Sequence, residues 1–163
     1  MKKLIIVLVL ITLPMAAFAQ FYLGATAFFK GDPLGLQNPT PSIVDNLAFG
    51  ADAKLKLAIL EGQATALYVL NNSFNVFLDV GIILDIAIVS VGAGVGPNFL
   101  LDFSSGAPES FAFGFNGKVH VDLNLDPIKI SAYYLFLLDS ITIADIKEKM
   151  YAGNVGLSIL FML

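Results

Sequence analysis

From residue 111 the chain alternates with a period of two. Phe111, Phe113, Phe115, Gly117, Val119, Val121, Leu123 and Leu125 form one set. Ala112, Gly114, Asn116, Lys118, His120, Asp122 and Asn124 lie between them. One set is apolar and the other small, polar or charged, which predicts a β-strand with two unlike faces. Asp126-Pro127 then breaks the run, because proline fixes its own φ and biases its predecessor away from helix. Alternation resumes over 128–138, with Ile128, Ile130, Ala132, Tyr134, Phe136 and Leu138 set against Lys129, Ser131, Tyr133, Leu135 and Leu137. The contrast between the two sets weakens towards the end of this run. The pattern predicts a long hairpin.

The same pattern recurs along the chain. It predicts strands over 21–30, 46–58, 63–70, 74–83, 87–103 and 150–163, which with the hairpin makes eight. Leu60-Glu61-Gly62, Leu84-Asp85-Ile86 and Leu125-Asp126-Pro127 read as three similar short turns. Asn71-Asn72-Ser73 reads as a tight turn and only incidentally as a glycosylation pattern. The connections over 31–45, 104–110 and 139–149 are longer; 139–149 has helical spacing but reads as a charged loop. A helical span over 76–95 competes locally. Asp79, Asp85 and the glycine and β-branched breaks count against it. Short connections at one end and long ones at the other suit a transmembrane β-barrel. Strands of roughly 9–11 residues suffice to cross. An open sheet cannot sit in lipid, so the first and last strands are expected to pair. The expected fold is all-β, an eight-stranded antiparallel up-and-down barrel.

Composition points the same way. The 163 residues are 57% hydrophobic and 13% charged, with a mean hydropathy of +0.81. That is too apolar for an ordinary soluble domain. Residues 1–19 account for part of it: Lys2 and Lys3, an apolar run over 4–13, then Ala17-Phe18-Ala19. This reads as a cleaved secretory signal peptide, its core too short to span, with the barrel over 20–163. From Gln20 onward there are seven lysines, no arginine and thirteen acids, a net charge of −6. Such a chain is a poor nucleic-acid binder. Without cysteine it has neither disulfide nor thiolate metal site.

Two features orient the faces. The polar face is rich in Gly, Ala, Ser and Asn and poor in charge, unlike a solvated surface and suited to a cramped eight-stranded interior. The aromatics Phe29, Phe49, Tyr68, Phe74, Phe111, Phe113, Phe136 and Tyr151 gather near the long-loop ends, with Phe21 and Phe161 at the other. That distribution predicts an interfacial girdle. The apolar face is therefore expected outward, against lipid.

An inward polar face makes Asp52, Lys54, Lys56, Asp79, Lys118, His120, Asp122 and Lys129 a lumen charge network. Lone buried ions are costly, so these are expected to pair as a plug; an ion or proton path is the alternative. No serine–carboxylate set converges on His120, the only histidine, so no catalytic residue is expected, nor any metal site or cofactor. The run 87–103 and its partner from 111 exceed the crossing length. Phe99, Leu101, Phe103, Phe111 and Phe113 are thus expected to form an apolar patch at or above the outer interface, and such patches mark binding sites.

On these features the chain resembles the small eight-stranded outer-membrane barrels of Gram-negative-type bacteria, the OmpA, OmpX and OmpW class. The resemblance covers 20–163 and rests on architecture. It implies an outer-membrane location, contact with outer-membrane lipid, and a membrane-integrity, adhesion or small-solute role. Residues 151–163 resemble the C-terminal signal read by the barrel-assembly machinery, although the chain ends on Leu163 with Phe161 two positions earlier. The expected function is a structural or surface-binding barrel of unknown ligand. A narrow, porin-like channel for small or apolar solutes is the alternative, and a lipid-modifying enzyme is a more remote one.

Overall fold

The computed structural model describes residues 19–29, 47–69, 73–103 and 110–163. Eight strands follow one another: β1 Ala19–Phe29, β2 Leu47–Leu57, β3 Leu60–Val69, β4 Ser73–Ile86, β5 Val89–Asp102, β6 Ser110–Asn124, β7 Ile128–Leu138 and β8 Asn154–Met162. A short helix, α1 Ile143–Lys149, precedes β8. Each strand pairs antiparallel with its sequence neighbours, and the barrel is closed. The closing ladder runs from Tyr22 opposite Met162 to Phe29 opposite Val155. Closure leaves no edge strand.

The faces sort as the alternation predicts. Val80, Ile82, Leu84, Val91, Val119, Val121, Leu157 and Ile159 are exposed on the outside, Val80 to 72%. Asp52, Lys54, Asp79, Lys118, Asp122, Lys129 and Ser131 are buried inside. Among the described residues no helix is long and apolar enough to cross a membrane; strands form the wall.

Two of the three short turns fall elsewhere than the Leu-plus-acid pattern suggests. β2 and β3 are joined by Ala58-Ile59, and β4 and β5 by Ala87-Ile88. Ala58 and Ala87 have φ of 55° and 56°, the left-handed start that lets a two-residue hairpin follow the strand twist. Leu60-Glu61-Gly62 and Leu84-Asp85-Ile86 are strand instead. Alanine and isoleucine carry no turn propensity, so the pattern displaces the turn onto the nearby acids. Leu125-Asp126-Pro127 does form the third turn, with a cis Asp126-Pro127 bond.

The stretch 139–149, expected as loop, contains α1. The Thr142 side chain caps it by accepting from the Asp145 backbone N–H, and Lys147 and Lys149 fall in its last turn, favourable for the helix dipole. Lys149 also pairs with Asp139 at 3.0 Å, which pushes the Lys149 ammonium pKa up. The Tyr134 hydroxyl holds this connection to the wall, donating to the Met150 carbonyl and accepting from the Gly153 N–H. Apart from Ala19, which opens β1, the predicted signal peptide lies outside the described residues. So do the loop 31–45, Asn71 and Asn72, and the tip 104–109.

Candidate functional site

The lumen has two storeys. Towards the long-loop end, Phe28, Ala48, Leu67, Val69, Phe77, Tyr133 and Leu135 pack together. The Phe28 ring lies 6.2 Å from Tyr133 and 6.5 Å from Phe77. These are inward residues of β1, β2, β3, β4 and β7, and the face expected to be mostly small and polar is apolar here. The fading contrast through Tyr133 and Leu135 is its trace in the sequence.

Below lies the charge network. Lys54 Nζ is 3.0 Å from both oxygens of Asp122 and 3.1 Å from the Ser131 hydroxyl. Its side chain is fully buried. Glu61 lies 3.8 Å from the same ammonium. His120 bridges the two acids, with Nε2 2.9 Å from Glu61 and Nδ1 3.0 Å from Asp122. Lys129 reaches Asp122 at 3.5 Å and lies over the Tyr22 ring, 4.0 Å from its centre. The four strands β2, β3, β6 and β7 converge here because their inward positions meet in register: Asp122 faces Ser131, and Lys54 faces Gln63.

A second group lies beside it. Asp79 accepts a hydrogen bond from Asn116 and faces Lys118 at 3.9 Å. Lys118 donates to Thr65 at 2.9 Å and sits 4.3 Å from the centre of the Tyr133 ring. Asp52 makes no ion pair among the described residues. Gln63, Thr65 and Ser158 donate to it instead, at 2.7–3.0 Å. Hydrogen bonds to a buried carboxylate can replace a counter-ion.

The structure thus gathers seven of the eight expected lumen charges. Lys56 stands apart, paired with Asp85 at the short-turn mouth. Glu61 belongs to the first group, although the sequence pattern predicts a turn there. Its inward direction becomes legible only once the turn moves to Ala58-Ile59. Four buried acids (Asp52, Glu61, Asp79, Asp122) then face three buried lysines and His120.

Ligand atoms of Glu61, His120 and Asp122 lie within 4.8 Å of one another, close enough to hold a divalent cation. Lys54 already supplies positive charge to both acids, so a metal there would compete with a resident ammonium. An open cavity of about 270 Å³ marks the short-turn mouth, walled by Tyr22, Lys56, Asp85, Asn124 and Met162 among others. Above it the lumen is filled: Lys54, Lys118, Lys129, Leu67, Ile83, Leu135 and Leu160 are fully buried or nearly so.

On the outer wall, Phe99 lies 5.5 Å from Phe113 and 6.0 Å from Phe111 between ring centres. Phe115 joins at 5.3 Å from Phe113. Leu101 faces Phe111 in register, and Phe103, just past β5, is exposed. The rings of Phe99, Phe111, Phe113 and Phe115 therefore adjoin one another. Phe136, expected in the outer girdle, is buried. Its ring covers Gly117, its register partner on β6.

No protein-family model and no curated protein matches the chain. Among solved structures it is similar to the crystal structure of Neisserial surface protein A (NspA), at 14% identity and a TM-score of 0.48. The match covers 88% of this chain and 96% of that one. The likeness is one of outline; the ladders described above establish the fold independently.

Proposed function

We propose that this chain is a small outer-membrane β-barrel with a sealed lumen, acting as a structural or surface-binding protein through its outer β5–β6 hairpin. One observation carries the reading: the wall is apolar outside and the charges are buried and paired inside. Water would reverse that arrangement, whereas lipid stabilises it. The expected signal peptide and the final strand, as a target of the barrel-assembly machinery, fit the same location.

The filled lumen favours a plug over a channel. An ion would have to displace the Lys54–Asp122 pair and then cross the Phe28–Phe77–Tyr133 layer. His120 engages a carboxylate at each ring nitrogen, which favours a structural role over that of a base. Reconstitution in planar bilayers tests the sealed lumen: steady baseline current is expected, and reproducible ion-selective steps would favour the channel.

A further inference from the structure

Two buried carboxylate oxygens, Glu61 Oε2 and Asp79 Oδ2, have no hydrogen-bond partner. Their residues are 6% and 5% exposed. They sit on adjacent strands, one inward position apart, since Glu61 faces Gly81 while Gln63 faces Asp79. Both line a cavity of about 10 Å³, with Gly94, Lys118 and His120 among its other walls. Unmet acceptors in such a place call for a donor.

The site has room for one small molecule. A water needs roughly 10–15 Å³ of cavity and two to four polar partners. It offers two O–H donors, and two acceptors are unmet. A cation here would stand beside Lys118, which lines the same cavity. We infer that this cavity binds one ordered water, which donates to Glu61 and to Asp79 and accepts from Lys118. The water joins the Lys54–His120–Asp122 group to the Lys118–Asn116–Asp52 group as one network.

Crystals of the full chain folded in detergent, diffracting well enough to show ordered water, test this directly. One peak is expected within hydrogen-bond distance of both oxygens, with no anomalous signal after a rubidium chloride soak. In Gly94→Ala the new methyl group projects from the cavity wall, with a Cβ 3.5 Å from that of Asp79, and the peak is expected to vanish. An empty cavity, direct contact between the two carboxyl groups, or an anomalous peak would overturn the inference. So would a peak that persists in Gly94→Ala. If that variant does not fold, the wild-type crystals decide alone.

Discussion

The His120 imidazole occupies the space that a β-carbon on Gly92 would fill. The two residues are direct partners across the β5–β6 ladder. The ring can yield only by leaving Glu61 and Asp122, which it bridges. Gly92→Ala is therefore expected to destabilise the barrel by about 1–3 kcal/mol, the usual cost of overpacking. Gly94→Ala, where the nearest neighbours of a Cβ lie at 3.3–3.5 Å, should cost clearly less. Urea unfolding in micelles compares them, and equal losses would remove His120 as the cause.

The acids of the lumen should rank by what each leaves behind. Asp122→Ala strips Lys54, Lys129 and His120 of one shared partner. A loss of about 3–5 kcal/mol is expected, as when one member of a buried pair is removed. Asp79→Ala also exposes a buried lysine, but Lys118 keeps Thr65 and the face of Tyr133. Its loss should be smaller. The opposite order would show that the Lys54 group is not the centre of the network.

Outer and inner positions should respond differently to the same side chain. Val121 is half exposed on the outer wall. Val121→Arg should cost roughly 2–4 kcal/mol near the bilayer midplane. Asn124 lines the open mouth beside Asp85 and Asp126, so Asn124→Arg should cost far less. Refolding yields and unfolding curves in lipid measure both. A harmless Val121→Arg would contradict an outward, lipid-facing Val121.

Strand number was legible in the period of two; facing needed the small, weakly charged polar set and the placement of the aromatics, and closure needed the rule that an open sheet cannot sit in lipid. The details the alternation misses have physical causes. Ala58-Ile59 and Ala87-Ile88 turn through backbone geometry alone. Glu61 was hidden by that displaced turn. The helix α1 depends on the Thr142 cap, a local bond too small to outweigh the charged composition around it. Phe136 carries the outward pattern yet is buried, because it lies over Gly117, and a residue without a side chain leaves no trace in an alternation. The apolar upper storey was visible only as a loss of contrast.

The outer patch predicts separable roles for wall and hairpin. Phe99→Ser combined with Phe103→Ser removes apolar surface without touching a lumen residue. The barrel should still assemble, while surface binding or solute uptake by intact cells should be lost. If assembly fails, or every surface phenotype survives, the patch belongs to the interfacial girdle alone.

A closed barrel with an apolar outer wall requires lipid or detergent to stay folded. Gel mobility without and with boiling tests it most directly. Protein folded into micelles should migrate as a compact, SDS-resistant species and shift to its unfolded position only after heating. The same chain diluted into plain buffer should give no such species. A single heat-independent band from micelles, or a folded soluble monomer without detergent, would contradict the account.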